Sequence, residues 1–229
     1  DLTMASTLHN KVICITGASS GVGLATAKAL LADGAYVIGI ARRVERLEAL
    51  SHERFLAITC DICDSTQRQK AFAQALAWQG RLDGLINNAG ISRGGLHQSN
   101  ELTDLTQMID TNLLALTDLT RLALPALIKS QGTLINLSST VVQSLIPSSG
   151  MYAATKAAVA AFSEVLRKEV CGDNVRVTTI YPGMIETEFF DGITDEKKKQ
   201  NFAAFKAAIE PLQAHDISEV ILFVLSRAA

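Results

Sequence analysis

The sequence is poor in the residues that mark proteins without an ordinary hydrophobic core. It has four cysteines, four prolines and 15 glycines among 229 residues, and aromatic residues make up 5%. This composition excludes collagen-like repeats and a proline-rich disordered chain. The cysteines are too few and too scattered for a disulfide framework, so we expect free thiols and a cytoplasmic protein.

Net charge and long apolar runs are also scarce. The formal net charge is -2 at pH 7, which offers no general attraction for nucleic acid or an anionic membrane surface. The richest apolar stretch, residues 113–128, contains Asp118 and Arg121 and is shorter than the roughly 18 residues that cross a bilayer. We therefore expect a soluble protein with neither a nucleic-acid nor a membrane partner.

The sequence does have a hydrophobic content of 48%, in a chain long enough for one substantial core. We expect residues 11–229 to form one domain. Residues 1–10 lack the basic start and apolar run of a signal peptide. Because Met4 lies among them, we interpret these residues as a leader that is partly foreign to the natural protein.

Short aliphatic runs alternate along the chain with helical patterns. The runs typical of buried strands are residues 11–16, 35–40, 55–60, 84–87, 132–138 and 174–180. The helical stretches are residues 21–33, 44–50, 65–79, 101–129, 150–171 and, last, 217–226. This alternation predicts an α/β fold: a single-domain, Rossmann-like, doubly wound parallel sheet with helices on both faces.

A few residues predict where the helices begin and end. Asp64 is a suitable cap for the helix that follows it, and Gly80 and Gly34 are suitable stops. Pro125 lies late in the long fourth helical stretch and is expected to kink or divide it, because proline lacks the backbone N–H of the helical hydrogen bond.

A glycine-rich turn follows the first predicted strand and leads directly into a helix. Gly17 permits a tight turn, Gly21 allows the backbone to approach a pyrophosphate, and Gly23 allows close packing of helix and strand. The helix N-terminus then offers free N–H groups to phosphates. The alternative is that the turn is only a tight strand-to-helix connection with no ligand. The position of the turn after the first strand favours a dinucleotide site.

The end of the second strand indicates which dinucleotide. Ala41 stands where an acidic residue would accept hydrogen bonds from a ribose, and Arg42 and Arg43 follow. Guanidinium groups bind phosphate well, so the sequence favours NADP(H) over NAD(H). The alternative is that both arginines only decorate the start of a helix.

Tyr152 and Lys156 lie four residues apart in an alanine-rich helical pattern. This spacing places the phenol and the ammonium group on one face of the helix. A cation within about 4 to 6 Å lowers the pKa of a tyrosine by roughly 1 to 3 units, so we expect a lowered pKa for Tyr152. The spacing alone also occurs often by chance.

Cys60 and Cys63 form a CxxC pattern. The remaining cysteines and the histidines are dispersed, so we expect no metal site. A redox dithiol is the weaker alternative, although Cys63 lies near the N-terminus of a predicted helix.

Taken together, these motifs make the chain from Lys11 onward similar to the short-chain dehydrogenase/reductase family. The residues that carry the resemblance are the glycine turn, Asn87-Asn88-Ala89-Gly90, Asn112, Ser139 thirteen positions before Tyr152, Lys156, and Pro182-Gly183 with Thr187. The resemblance implies four catalytic residues. Tyr152 would be the general acid or base, Ser139 would bind the substrate oxygen, Lys156 would lower the pKa of Tyr152 and bind ribose, and Asn112 would hold a relay water.

Three of the residues that carry the resemblance have alternative interpretations. Asn112 can instead satisfy buried backbone groups, a role compatible with a relay. Ser138 adjoins Ser139, but the family's spacing of thirteen residues selects Ser139. Thr187, implied to lie beside the nicotinamide, can instead cap a helix.

The resemblance also implies a set of cofactor contacts. They are Gly17, Ser19, Ser20, Gly21, Val22, Gly23, Arg42, Arg43, Asp61, Ile62, Asn87, Ala89, Gly90, Tyr152, Lys156, Pro182, Gly183, Ile185 and Thr187.

The function implied is an NADP-dependent oxidoreductase that interconverts an alcohol and a carbonyl on a small metabolite such as a hydroxy acid or aldehyde. The alternative is a non-catalytic NADP-binding sensor of the same fold. Residues 183–215 are expected to form a substrate lid, and the helices around 101–129 and 150–171 to pair subunits into a homodimer or homotetramer. Such chains continue into one more strand after the last helix, so the natural protein is expected to be longer.

The pocket wall is predicted less closely than the reaction. Its candidate residues are Ser92, Arg93, Val141, Gln143, Ser149, Met184, Ile185 and Phe189.

Overall fold

The computed structural model describes residues 8–186 and 210–227. In it, parallel strands form one six-stranded sheet in the order β3-β2-β1-β4-β5-β6. The strands are β1 (Val12–Thr16), β2 (Tyr36–Ala41), β3 (Phe55–Thr59), β4 (Gly84–Asn87), β5 (Thr133–Leu137) and β6 (Arg176–Ile180). All six predicted strands are confirmed, with ends that differ by no more than two residues. The order reverses between β1 and β4, where open α/β sheets bind their ligands.

Helices connect the strands. They are α1 (Gly21–Ala32), α2 (Val44–Glu48), α3 (Ser65–Gln79), α4 (Leu102–Ile109), α5 (Ala115–Ser130), α6 (Val141–Ser144), α7 (Gly150–Val170) and α8 (Ala214–Ser226). Short 3-10 turns lie at His97–Ser99 and Cys171–Asp173. In the described part of the chain, none of these helices is both long and apolar enough to cross a bilayer.

Each face of the sheet has its own core because alternate strand residues point to opposite sides. Leu85 and Leu134 belong to the core that includes residues of α3, α5 and α7. Their neighbours Ile86 and Ile135 belong to the other core, which includes residues of α1 and α8. The predicted fold, with helices on both faces of a parallel sheet, is confirmed.

The predicted helix ends are also confirmed. The side chain of Asp64 accepts hydrogen bonds from the backbone N–H groups of Thr66 and Gln67, at 2.8 and 3.0 Å. These bonds, first that of Gln67, hold the pKa of Asp64 below its ordinary value. Gly80 and Gly34 follow α3 and α1 with positive φ angles of 66° and 79°, a conformation that costs glycine little.

The last helix begins three residues earlier than predicted, at Ala214. Gln213 and Asp216 form a capping box there, in which the Gln213 N–H donates to Asp216 Oδ2 at 2.7 Å. Such reciprocal bonds satisfy the free N–H groups of the first turn.

Pro125 was expected to kink or divide the long helix, and the expectation of a division is wrong. α5 continues through Pro125, and the regular helix is interrupted instead at Asp110–Leu114, a π-helical segment. Pro125 and Arg121, whose carbonyl loses its helical donor, are both exposed. Water can therefore satisfy that carbonyl, and the proline is tolerated.

Most of the predicted leader (residues 1–7) and of the predicted lid (187–209) lies outside the described residues.

Candidate active site

The candidate site lies at the carboxyl ends of β1, β4, β5 and β6. The glycine turn follows β1, Asn88 to Gly90 follow β4, Ser139 follows β5, and Pro182 follows β6. Because all the strands are parallel, these loops meet at one edge of the sheet.

The glycine turn is closely packed. Gly17 has a φ of 69°, and its N–H donates to Ile40 O in β2 at 2.8 Å. A Cβ added at Gly23 would lie 2.3 Å from Gly17 O and 2.6 Å from Asn88 Nδ2. Only glycine fits at residue 23, and α1 therefore begins directly beside the turn, as a dinucleotide cradle requires.

The loop after β4 is bonded to the end of β1. Thr16 Oγ1 accepts hydrogen bonds from the N–H groups of Asn88 and Ala89, at 3.1 and 3.0 Å. Asn88 Nδ2 donates to Thr16 O at 2.9 Å. We did not predict a role for Thr16 or Asn88. Thr16 directly precedes the glycine turn and Asn88 lies within the Asn87–Gly90 motif, and these positions could have indicated that the two residues meet.

The side chain of Asn87, a predicted cofactor contact, is bonded within the core. Its buried side chain donates to Thr120 Oγ1 at 3.0 Å and to Asn136 Oδ1 at 2.9 Å, inside the core. Its Oδ1 has no hydrogen-bond partner among the described residues. The side chain therefore points into the core, and only the backbone of Asn87 lies along the binding edge.

Asn112 lies in the π-helical segment and is fully buried. Its Nδ2 donates to Ile91 O at 2.9 Å and to Thr155 Oγ1 at 3.1 Å, and its Oδ1 accepts from Ile91 N at 2.8 Å. Both amide hydrogens are used, so this side chain satisfies buried backbone groups, the alternative that the sequence left open. It also ties the loop after β4 to α7.

Ser139, Tyr152 and Lys156 come together. The Ser139 side chain is hydrogen-bonded to Tyr152, and Lys156 Nζ lies 5.9 Å from the centroid of the Tyr152 ring. A Cβ added at Gly90 would lie 3.3 Å from Lys156 Nζ, so the loop after β4 borders the same site. Ser138 Oγ instead donates to Lys156 O at 2.9 Å, which confirms Ser139 as the serine that faces Tyr152.

The expected lowering of the tyrosine pKa is not found. Burial raises the pKa of Tyr152 to about 12, although the hydrogen bond with Ser139 opposes the rise. Burial lowers the pKa of Lys156 to about 8. The physical reason is desolvation, which disfavours the charged form of each group, and Lys156 Nζ donates to Leu137 O at 2.8 Å rather than to the phenol.

Comparisons with known proteins agree with this geometry. Residues 11–198 match the family model of the short chain dehydrogenases. The chain belongs to the short chain dehydrogenase family. The predicted family and enzyme class are thereby confirmed, and the alternative of a non-catalytic sensor is not favoured.

Three relatives illustrate the similarity. The chain is 40% identical over 219 residues to a serine 3-dehydrogenase of Agrobacterium fabrum, covering 94% of this chain and 88% of that one. It is 34% identical over 221 residues to a probable NADP-dependent dehydrogenase of Haemophilus influenzae, covering 92% and 85%. The closed form of a serine dehydrogenase complexed with NADP+ superposes with a TM-score of 0.86 at 31% identity, covering 95% and 90%. These relatives agree with the predicted nicotinamide cofactor.

The two arginines that are expected to bind the cofactor phosphate have different surroundings. Arg43 Nη2 donates to Ser20 Oγ in the glycine turn at 2.8 Å. The charge of Arg42 instead acts on Cys63, where it opposes the rise in the pKa of that thiol.

Asp61 and Ile62 lie in a short loop after β3 that is held by bonds not foreseen from the sequence. Asp61 N donates to Gln67 Oε1 at 2.9 Å, and Arg68 Nη1 donates to Ile62 O at 2.6 Å. Buried Arg68 also forms an ion pair with Asp118 of α5, from Nε to Oδ2 at 2.8 Å. Residues 50 positions apart in the sequence carry no local signal of such a pair.

The surroundings of the CxxC thiols do not favour a redox pair. Burial raises the pKa of Cys60 to about 11, and it also raises the pKa of Cys63, whose Sγ lies 3.2 Å from Thr111 Oγ1. A reactive thiol needs a lowered pKa. All four cysteines are free, as predicted, and residues 8–186 and 210–227 contain no cluster of metal-ligating side chains.

The two ends of the predicted lid are joined. Ile185 and Leu212 form a parallel bridge, with Leu212 N donating to Met184 O at 2.9 Å and Glu186 N to Leu212 O at 2.8 Å. Pro182 O accepts from Thr140 N at 3.0 Å, which places Pro182 and Gly183 beside the end of β5. The predicted residues Thr187 and Phe189 lie outside the described part of the chain.

Arg93, a candidate for the pocket wall, is already paired. Its guanidinium lies 3.6 Å from Asp104 Oδ1 and donates to Gln107 Oε1 at 3.2 Å. This side chain therefore holds its loop against α4.

Proposed function

We propose that this short chain dehydrogenase oxidises the hydroxyl group of a small 3-hydroxy acid, such as serine, with NADP+. The observation that carries the proposal is the cluster of Ser139, Tyr152 and Lys156 beside a glycine cradle. A bound oxidised nicotinamide supplies the hydride acceptor. The cradle fits such a group because Gly17 and Gly23 leave no room for side chains and α1 presents its N-terminus there.

Each catalytic side chain has one role in this proposal. Tyr152 removes the hydroxyl proton of the alcohol, or returns it when a carbonyl is reduced. Ser139 donates a hydrogen bond to the substrate oxygen, where negative charge develops as the hydride leaves. Lys156, whose pKa is about 8, is largely protonated at pH 7, and its charge favours the phenolate form of Tyr152. Asn112 orders the loop beside these three side chains. A relay water would bind to the remaining lone pair of Asn112 Oδ1 or to the backbone of Asn112.

The remaining cofactor contacts follow the loops at the same edge. Gly17 to Gly23 would hold the pyrophosphate, with Ser19 and Val22 inside the turn. Asp61 and Ile62 would border the adenine, and Ala89, Gly90, Pro182, Gly183 and Ile185 the nicotinamide. Thr187 stays a prediction.

Preference for NADP over NAD rests on Arg42 and Arg43. Neither an aspartate nor a glutamate stands at residue 41, so nothing there repels a 2′-phosphate. The Arg43 guanidinium already bonds to Ser20 Oγ at 2.8 Å, and a phosphate placed between them would gain charge-assisted hydrogen bonds.

The substrate class rests on the relatives. Two of them are named as serine dehydrogenases, and the described candidates for the pocket wall include the hydroxyl side chains of Ser92 and Ser149. A small polar hydroxy acid suits such a wall better than a long apolar substrate.

The test is a comparison of substrates and cofactors with the purified chain. Formation of NADPH or NADH is measured with serine, with other short 3-hydroxy acids and with simple alcohols, each with NADP+ and NAD+. We expect the 3-hydroxy acids with NADP+ to give the highest kcat/KM. Equal rates with simple alcohols would refute the substrate class, and equal rates with NAD+ would refute the cofactor preference.

We also propose a homodimer or homotetramer in the cytoplasm. Leu114, Ile128 and Val165 are apolar yet 52%, 38% and 56% exposed, near and on α5 and α7, where a second copy would cover them. Four free cysteines support a reducing compartment. Sedimentation velocity tests the assembly, and a monomer at micromolar concentration would refute it.

A further inference from the structure

β5 and the residue that directly follows it present two polar side chains to α7. Asn136 and Ser138 are two residues apart, so they point to the same face of the sheet as Leu134. Asn136 Nδ2 donates to Ser163 Oγ of α7 at 2.8 Å, and Ser138 Oγ donates to Lys156 O at 2.9 Å. The side chains of Asn136, Ser138 and Ser163 are at most 3% exposed, so water does not compete for these bonds.

The direction of the first bond is determined by its surroundings. Ser163 Oγ donates its single hydrogen to Val159 O at 2.7 Å, so it can only accept from Asn136. The Nδ2 of Asn136 must therefore face α7, and its Oδ1 faces Asn87 Nδ2 at 2.9 Å. Reversing the Asn136 amide would break both bonds, which makes this link between sheet and helix directional.

Lys156 is held at both of its ends by two adjacent residues, the last residue of β5 and the one after it. Its backbone carbonyl accepts from Ser138 Oγ, and its Nζ donates to Leu137 O at 2.8 Å. The second contact point, Ser163, lies seven residues further along α7, which is about two helical turns. Both points therefore lie on the same face of the helix.

Apolar packing alone would not fix α7 in this way. Leu166 and Val170 of α7 pack in the same core as Leu134 and Leu85, but such contacts are non-directional and tolerate small rotations of a helix. Two hydrogen bonds separated by about two turns determine both the rotation of α7 and its position along β5.

We propose that Asn136, Ser138 and Ser163 are positioning residues, which hold α7 so that Lys156 and Tyr152 stand at the cofactor edge. This inference rests on the proposed roles of Tyr152 and Lys156. Without these bonds, Lys156 moves relative to Tyr152, and its charge favours the phenolate less.

The experiment compares Ser138→Ala and Ser163→Ala with Ser218→Ala. Ser218 is a matched control because it is a buried serine, 4% exposed, whose hydroxyl donates only within α8, to His215 O at 2.9 Å. Alcohol oxidation is measured from pH 6 to pH 10, together with thermal unfolding. We expect kcat to fall about tenfold in Ser138→Ala and Ser163→Ala and the basic rise of the pH profile to move up by about 0.5 to 1 pH unit.

A variant that keeps the hydroxyl group distinguishes a positioning role from a role in packing alone. Ser138→Thr keeps the hydroxyl donor and should restore the pH profile. The proposal is overturned if both alanine variants keep the normal pH profile and lose only as much thermal stability as Ser218→Ala. If Ser138→Ala does not fold, the pH profiles of Ser163→Ala and Ser138→Thr test the proposal by the same criterion. Activity in Tyr152→Phe would refute the proposed function instead, whatever the serine variants do.

Discussion

The two ends of the candidate cofactor edge are built in opposite ways. At the catalytic end, Lys156 is 4% exposed, and both its backbone and its side chain are bonded to β5. At the phosphate end, Arg43 and Ser20 meet in an exposed hydrogen bond. Burial shifts the pKa values of Tyr152 and Lys156, whereas the arginine stays in contact with water.

This difference indicates that the catalytic end, and not the phosphate end, lowers the stability of the folded chain. A buried ammonium group destabilises the folded chain unless it is fully compensated. An exposed arginine costs little and can be replaced without disturbing the fold. Mutations at the catalytic end should therefore separate stability from activity, while mutations at the phosphate end should change only the choice of cofactor.

The largest effect is expected for Tyr152→Phe. The variant loses the only atom with which Tyr152 can transfer a proton, so kcat should fall about 10²- to 10⁴-fold. NADPH binding, measured by fluorescence titration, should change less than about twofold, since the ring remains. Tyr36→Phe is the control, because Tyr36 begins β2 at the opposite edge of the sheet. Normal turnover in Tyr152→Phe would remove Tyr152 from the mechanism.

An intermediate effect is expected for Lys156→Met, which should lower activity but raise stability. Turnover should be lost, but the free energy of unfolding at pH 7 should rise by about 2 kcal/mol, because desolvation of the ammonium group is relieved while one hydrogen bond is lost.

The pH dependence of that gain follows from the pKa of Lys156, which falls from 10.5 to about 8 on folding. Between these values the folded chain binds fewer protons than the unfolded chain, so the wild type gains stability as the pH rises. The advantage of Lys156→Met should therefore be complete below pH 8 and shrink towards pH 10.5. Urea unfolding at pH 7 and pH 10 measures it, with exposed Lys28→Met as the control. A less stable variant at pH 7 would mean that the buried lysine is fully compensated.

The smallest effect is expected for Arg43→Ala. Losing one charge-assisted contact should lower kcat/KM for NADP+ about tenfold, with little change for NAD+. Arg46→Ala, in the helix that directly follows Arg43, is the control, and thermal unfolding should be unchanged in both variants. An equal loss with NAD+ would show that Arg43 supports the glycine turn rather than recognising phosphate.

Local signals in the sequence account for most of the fold. The aliphatic runs predict every described strand, and Asp64, Gly34 and Gly80 predict helix ends, because these signals act over a few residues. The interruption of the long helix was harder to predict. Pro125 is visible in the sequence, but whether it interrupts the helix depends on the exposure of the Arg121 carbonyl. The π-helical segment that does interrupt it carries Asn112, whose partner Ile91 lies 21 residues away.

The sequence by itself determined the order of the elements, the glycine turn and the identity of the candidate catalytic side chains. Those properties depend on residue type and short spacing. The tertiary structure alone decided that Asn87 points into the core, that Arg43 contacts Ser20, and that burial raises rather than lowers the pKa of Tyr152. Each of these depends on the distance between residues far apart in the chain and on how much water remains around them. Neither quantity exists before the sheet and its helices have packed.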